Sequence, residues 1–162
     1  MNRSFKANWG RPLILISTAA TLICLGVAIH SWQRGHHGFL RFWLPLLLPF
    51  TALPFMVRGY RIIPGELMVR RLLWETDIPL AGLAAAEREP EIMKGCLRLC
   101  GNGGLFSFTG WFWNRKHGMF RVFATNTRDM VALKIGRKTI VVSPDRPAEF
   151  IAALEERIPR HE

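Results

Sequence analysis

The most distinctive group of chemically active side chains lies in one short segment, bracketed by Gly110 and Gly118. It combines three large aromatic rings with two cations: Trp111, Phe112, Trp113, Arg115 and Lys116. Aromatic rings favour the membrane–water interface, and each cation near an anionic leaflet contributes about 1 kcal/mol. We therefore predict one exposed loop that contacts the bilayer or a protein partner. The alternative is that two or three of the rings are core residues at the end of a strand.

Motifs for catalysis or metal binding are missing from the sequence. It contains no G-x-S-x-G, no H-E-x-x-H and no phosphate loop, and His117 is the only histidine in the body of the domain. Cys96 and Cys100 form a C-x-x-x-C pair without a second Cys or His pair at zinc spacing, so we expect reduced thiols. His36 and His37 are adjacent but lack a carboxylate or Cys partner. We predict no catalytic residues, no metal site and no cofactor.

Two apolar segments near the N-terminus predict a transmembrane helical hairpin, formed by residues 12–32 and 42–57 and ending at residue 58. Neither segment contains a charged residue. Twenty helical residues rise about 30 Å, the thickness of the hydrocarbon core, whereas the second segment is slightly short. A cleaved signal peptide is the alternative for the first segment, and a re-entrant or interfacial segment for the second. Residues 1–11 would then be a cytoplasmic flank.

Aromatic residues flank all four ends of these segments, in the pattern of an interfacial belt. The predicted anchors are Trp9, Trp32, Trp43 and Tyr60. Positive charge is greater on the two outer flanks than in the loop between the segments, which predicts that both termini are cytoplasmic. We therefore expect a multi-pass protein of the bacterial inner membrane, with the lipid bilayer as one partner.

The net charge of +10 does not indicate nucleic-acid binding. Residues 1–58 contain six basic residues and no acid, so more than half of the excess lies beside the apolar segments. Lysine and arginine are expected there for topological reasons. The basic residues of the remaining chain are scattered, and we expect no nucleic-acid partner.

Residues 59–162 predict a β-rich domain that ends in one amphipathic helix. Short alternating segments are separated by Gly, Pro, Asn and Asp, which indicates about seven strands. Residues 101–104 (GNGG) predict a flexible loop. A helix over about 146–158 carries Phe150, Ile151, Leu154 and Ile158 on one apolar face. The predicted fold is a small sandwich or partly open barrel with the helix as a cap.

Residues 58–158 resemble the bacterial pleckstrin-homology (PH) domains that are attached to membrane helices. The similarity rests on YRIIPGELMVRR, FSFTGWFW, FRVFATN and TIVVSPDRPAEFIAAL. The resemblance implies two nearly orthogonal antiparallel sheets, a C-terminal helix and no catalytic residues. Well-studied PH domains bind phosphoinositides through a basic cluster in the first strand–loop–strand. Here Arg70 and Arg71 are followed by LLWE instead of a basic loop.

Together these features predict a membrane-anchored, PH-like interaction module without enzymatic activity. It would bind the adjacent membrane surface or a protein partner whose identity the sequence does not name. The alternative is an accessory subunit of a larger membrane complex, such as a transporter or sensor, that docks through its helices.

Overall fold

The structure is a computed structural model that describes residues 3–33 and 39–156, with the exception of the side chains of Phe39 and Arg41. Its helices are α1 (Arg11–Gln33), α2 (Phe39–Ala52), a short 3₁₀ helix (Leu53–Phe55) and α3 (Pro147–Glu155). Its strands are β1 (Arg3–Lys6), β2 (Val57–Ile63), β3 (Glu66–Arg71), β4 (Glu75–Pro79), β5 (Leu83–Arg88), β6 (Leu97–Gly103), β7 (Phe108–Asn114), β8 (Gly118–Ala124), β9 (Val131–Ile135) and β10 (Lys138–Val142).

The strands form a sandwich of two sheets. One sheet has four antiparallel strands in the order β1-β2-β3-β4. The other has the order β5-β9-β10-β8-β7-β6, in which only the β10–β8 pair is parallel. Helix α3 buries Phe150 and Leu154 in the core that both sheets share. The predicted sandwich with a C-terminal helix is therefore confirmed.

A second, smaller apolar cluster covers the other face of the six-stranded sheet. It contains Phe112, Phe120 and Val122 from the neighbouring strands β7 and β8, together with Ile92 from the segment after β5. Side chains alternate between the two faces of a strand, so Val122 belongs to this cluster and Phe123 to the main core. The six-stranded sheet is thus buried on both faces over this region.

The N-terminal segment is part of the β domain. Strand β1 pairs with β2, and Phe5 lies opposite Tyr60. The Phe5 ring meets Phe150 edge-on, with 5.1 Å between ring centroids, and is only 6% exposed. Asp145 fixes the strand from the other side, since its backbone N–H donates to the Lys6 carbonyl at 2.9 Å. The prediction that residues 1–11 are a flank outside the domain is therefore wrong for residues 3–6.

Helices α1 and α2 pack against each other as a hairpin, and the Trp32 and Phe42 rings are in contact with 5.7 Å between centroids. Helix α1 is about 35 Å long and α2 about 21 Å. Among the described residues, only α1 is both long and apolar enough to cross a membrane. The second segment was predicted over 42–57, but α2 begins at Phe39 and ends at Ala52. Pro54 lies in the 3₁₀ helix that follows, and because it lacks an N–H group it cannot continue the hydrogen bonds of an α-helix. Val57 is a fully buried residue of β2.

The first turns of α1 are attached to the loop between β6 and β7, which we call the β6–β7 loop (residues 104–107). The Ser17 hydroxyl accepts a hydrogen bond from the Phe106 N–H at 2.9 Å and donates one to the Gly104 carbonyl at 3.4 Å. At the end of the hairpin, the Ser107 hydroxyl donates to the Phe55 carbonyl at 3.0 Å. One loop therefore holds α1 and the 3₁₀ helix that follows α2 against the six-stranded sheet.

Candidate functional site

The predicted aromatic–basic loop is mostly a strand. Trp111 and Trp113 lie on one face of β7 and are 36% and 38% exposed. Phe112 points to the opposite face, is 4% exposed and stacks on Phe120 with 6.4 Å between centroids. The prediction that all five residues form one exposed loop is therefore wrong for Phe112, because side-chain alternation places it in the core.

The two predicted cations lie in the turn between β7 and β8. Arg115 and Lys116 are exposed, and the Lys116 ammonium is 3.6 Å from the Glu89 carboxylate. Glu91 and Lys94, which pair with each other, line the same surface depression. Charge at this turn is therefore mixed. The turn lies at the far end of β7 from the β6–β7 loop, about 20 Å away along the strand.

The four predicted anchors occupy three different environments. Trp32 and Trp43 are exposed at the end of the hairpin that is distant from the domain, whereas Trp9 contacts Phe106 with 6.3 Å between ring centroids. Tyr60 has no exposed surface and lies in the main core. The prediction that Tyr60 is an interfacial anchor is therefore wrong. An aromatic residue just after an apolar segment can equally begin a buried strand, and Tyr60 does so.

The Tyr60 hydroxyl joins three strands by hydrogen bonds. It donates to the Phe123 carbonyl at 2.6 Å and accepts from the Ser143 N–H at 3.0 Å. Burial raises the pKa of Tyr60 to about 12, and the hydrogen bonds from Ser143 only partly oppose that effect. At neutral pH the hydroxyl is therefore a neutral donor, and its role is structural.

A cavity of about 730 Å³ lies where the hairpin meets the domain, and we call it the junction cavity. Ile16 and Ala20 of α1 and Leu48 of α2 form its apolar wall. The opposite wall contains three arginines from three different strands: Arg71 of β3, Arg98 of β6 and Arg121 of β8. The described residues that line the cavity include no Asp or Glu. The site therefore combines a strongly cationic wall with an apolar one.

Aromatic rings hold two of these guanidinium groups. The Arg71 guanidinium lies 5.7, 5.5 and 5.1 Å from the ring centroids of Phe55, Trp74 and Phe123. Arg121 lies 4.7 Å from the same Phe123 ring and 5.9 Å from Trp111. Such contacts attract a cation to the ring face without neutralising its charge.

Among the described residues, the arginines of the junction cavity have no acidic partners. Within residues 3–33 and 39–156, none of the three forms a salt bridge with Asp or Glu, and the buried Arg71 Nε has no hydrogen-bond partner. Burial, and then the neighbouring charge of Arg121, lower the pKa of Arg71 from its usual value. Arginine nevertheless stays protonated at neutral pH. The cavity therefore holds uncompensated positive charge that an anion can neutralise.

Part of the cavity wall is bare backbone. Gly101 and Gly110 are opposite each other on β6 and β7 and have φ angles of +108° and +137°. A Cβ on Gly101 would lie 2.2 Å from the Thr109 carbonyl oxygen, so the approach of the two strands excludes a side chain. The prediction of a flexible loop over 101–104 is wrong for 101–103, which belong to β6.

The three cysteines form no disulfide. Cys24, Cys96 and Cys100 are all free. The Cys96 thiol donates to the Ile92 carbonyl at 3.0 Å, and burial raises its pKa, which makes it less reactive. In the part of the chain that the structure describes, no three His, Cys, Asp or Glu residues are grouped so as to hold a metal ion.

The junction cavity is the feature that sequence reasoning missed. Its arginines lie in three separate strands, and only the strand order β8-β7-β6 and the packing of β3 across the sandwich bring them together. Gly101 and Gly110 are the one feature of the sequence that could have indicated an open cavity wall. Their pairing depends on the register of β6 and β7, which cannot be read from the sequence.

Comparison with known proteins gave one finding. A family model described as "Bacterial PH domain" matches residues 58–158. Neither a curated protein nor a solved structure matches the chain.

Proposed function

Because the chain belongs to the bacterial PH domain family, we propose that it is a non-catalytic interaction module anchored in a membrane by the α1–α2 hairpin. The observation that carries this proposal is the exposed apolar surface of the hairpin. Only 17% of the 18-residue apolar stretch of α1 is buried, and Leu40 and Phe50 of α2 are each 75% exposed. A contiguous apolar surface of this kind is unfavourable in water and favourable in lipid.

Two alternative roles for α1 fit less well. A core helix of a water-soluble protein would be mostly buried, which α1 is not. A cleaved signal peptide would take β1 with it, and thereby remove Phe5 from the core and the Lys6 contact from Asp145. Both observations support an uncleaved membrane anchor.

The pairing of β1 with β2 supports the proposed topology. Since residues 3–6 are hydrogen-bonded to the strand that follows α2, the N-terminus and the domain lie on the same side of any membrane that the hairpin enters.

Two arginines lie near the end of the hairpin that is distant from the domain: Arg34 follows α1 in the sequence, and Arg41 lies in the first turn of α2. An arginine at the centre of a bilayer costs about 2.5–3.5 kcal/mol. We therefore propose that the hairpin crosses the bacterial inner membrane, with the domain in the cytoplasm.

The turn between β7 and β8 is the proposed contact with a protein partner. Trp113, Arg115 and Lys116 form an exposed aromatic and cationic surface with Glu89 nearby. The acids beside these two cations reduce the attraction to an anionic bilayer, whereas Trp and Arg are residue types that are enriched at protein interfaces. This turn also lies about 20 Å along β7 from the β6–β7 loop that contacts the helices, which favours a partner away from the membrane.

Cysteine labelling tests the anchor and its topology. In a background with Cys24, Cys96 and Cys100 replaced by serine, single cysteines are introduced as Ser4→Cys, Gly35→Cys and Ala148→Cys. An impermeant thiol reagent applied to intact cells should label only the protein with Gly35→Cys. All three should react after the cells are lysed. A carbonate wash should leave the protein in the membrane fraction. Release by carbonate, or labelling of Ser4→Cys in intact cells, would refute the proposed anchor or topology.

Site-specific crosslinking tests the partner surface. A photoreactive residue at Trp113 should give a discrete adduct in intact membranes, whereas the same residue at the exposed Arg137 should not. Combining the Trp113 probe with Arg115→Glu and Lys116→Glu should abolish that adduct if the turn contributes to binding. An adduct that is unchanged by both charge reversals would argue against this surface. An adduct only from probes on α1 or α2 would favour an accessory subunit docked through its helices.

A further inference from the structure

We propose that the junction cavity binds the phosphate group of an anionic phospholipid, whose acyl chains lie along α1 and α2. This inference rests on the proposed insertion of the hairpin in a membrane. It concerns a different surface from the turn between β7 and β8.

Charge is the first argument. Arg71, Arg98 and Arg121 line one cavity without an acid among its described residues, and the Arg71 and Arg121 guanidinium groups both lie over the Phe123 ring, so two like charges are close together. Guanidinium groups bind phosphate oxygens through paired, charge-assisted hydrogen bonds. A single phosphate in the cavity would neutralise part of this charge.

Shape and polarity are the second argument. The two helices contribute mainly apolar residues to the cavity, namely Ile16, Ala20, Leu48 and Ala52, together with Thr51. A soluble phosphate would leave this apolar wall uncovered, whereas a phospholipid has an acyl chain to place on it. A volume of about 730 Å³ admits a headgroup with the first part of a chain, and the remainder of the chain continues along the exposed apolar surface of the hairpin.

Depth in the membrane is the third argument. The cavity lies beside the first turns of α1 and the last turn of α2, at the domain end of the hairpin. Trp74 packs edge-on against Phe55 at this level, with 5.1 Å between centroids, and aromatic residues of this kind favour the headgroup region. With the hairpin inserted, the arginines are therefore close to the level at which lipid phosphates of the same leaflet lie.

The test uses the full-length protein in neutral detergent and measures bound lipid by native mass spectrometry. Phosphatidylglycerol should bind at least about 10-fold more tightly than phosphatidylcholine. Arg98→Gln should weaken phosphatidylglycerol binding about 5-fold, as expected for one cation near a lipid phosphate. Arg98→Lys should restore most of the affinity. Arg137→Gln, an equal charge change on a distant turn, should have no effect. Arg98 is an exposed residue of an edge strand, so these variants are expected to fold.

Competition separates the two sources of phosphate. Inorganic phosphate and glycerol phosphate at millimolar concentration should not displace the lipid. Displacement by either would mean that the cavity is a site for soluble anions, and the lipid proposal would be wrong. Equal binding of both lipids, or equal effects of Arg98→Gln and Arg137→Gln, would also overturn it. Carbonate extraction of the same proteins distinguishes failure of the lipid-site proposal from failure of the membrane anchor. A protein that stays in the membrane fraction but shows no lipid preference would refute the lipid site and leave the anchor intact.

Discussion

Replacing Phe5 by alanine should destabilise the β domain, although the residue precedes the hairpin. The Phe5 ring is almost completely buried and contacts Phe150 of α3 edge-on. The substitution removes a large ring from the core that both sheets and α3 share. The effect tests directly whether β1 belongs to the domain.

The expected magnitude follows from burial and position. Replacing a buried phenylalanine by alanine costs about 3–5 kcal/mol, and an edge-to-face ring pair accounts for about 0.5–1.5 kcal/mol beyond the buried area. Because β1 is an edge strand that can partly relax, we expect the lower end, about 3 kcal/mol. For a domain of about 100 residues this corresponds to a fall in Tm of at least about 10 °C.

Thermal unfolding of the full-length protein in detergent, followed by the near-ultraviolet circular dichroism of the β domain, provides the assay. The matched control is Ser4→Ala, on the exposed face of the same strand, which should change the free energy of unfolding by less than about 0.5 kcal/mol. Equal Tm values for Phe5→Ala and Ser4→Ala would mean that β1 does not pack on the domain. In that case the argument against a cleaved signal peptide would also fail.

Three further predictions concern the core. Leu154→Ala should lower the free energy of unfolding by about 2–5 kcal/mol and the exposed Glu155→Ala by less than about 0.5, and chemical denaturation would show equal effects if the apolar face of α3 were misplaced. Phe112→Ala should lower the Tm more than Trp113→Ala does, and the reverse order would contradict the assignment of faces on β7. The wild type should lose stability between pH 10 and 12, and Tyr60→Phe should not show this loss. The reason is that the Tyr60 hydroxyl loses its proton above about pH 10 in the unfolded state but only near pH 12 in the folded state. The stability difference between the two proteins should be constant below pH 10, and an unchanged difference up to pH 12 would refute the buried hydroxyl.

Features with a long or regular sequence signal were predicted well. The apolar run predicted over 12–32 lies within α1. Of the residues predicted for the apolar face of the last helix, Phe150 and Leu154 are buried in the core and Ile151 packs partly buried against it, whereas Ile158 lies outside the described residues. Observed α3 ends at Glu155, and the rest of the predicted 146–158 helix beyond residue 156 lies outside the described residues. These elements depend on local periodicity, which a single sequence contains.

Features that depend on tertiary pairing were not predicted. Strand β1 has four residues, too few to show alternation, and it forms only because β2 supplies its partners. Tyr60 was assigned to the membrane interface because its neighbours in sequence suggested it, but it is a core residue. The three arginines of the junction cavity give no pattern along the chain, since contacts between strands bring them together.

The position of the helices between β1 and β2 has a mechanical consequence. These two strands are adjacent and antiparallel, so the helical hairpin replaces the turn of a β-hairpin. The last rung before the helices diverge is the bond from the Ala7 N–H to the Arg58 carbonyl, at 3.2 Å. A domain that is joined to a helix by a single linker can rotate about that linker. Here two chain segments, a few ångströms apart, connect the helices to the domain and restrict its rotation. Tilting one helix against the other would pull the two strands of the β1–β2 ladder in opposite directions, so with the hairpin inserted as proposed, strain in the bilayer would reach the sheet directly.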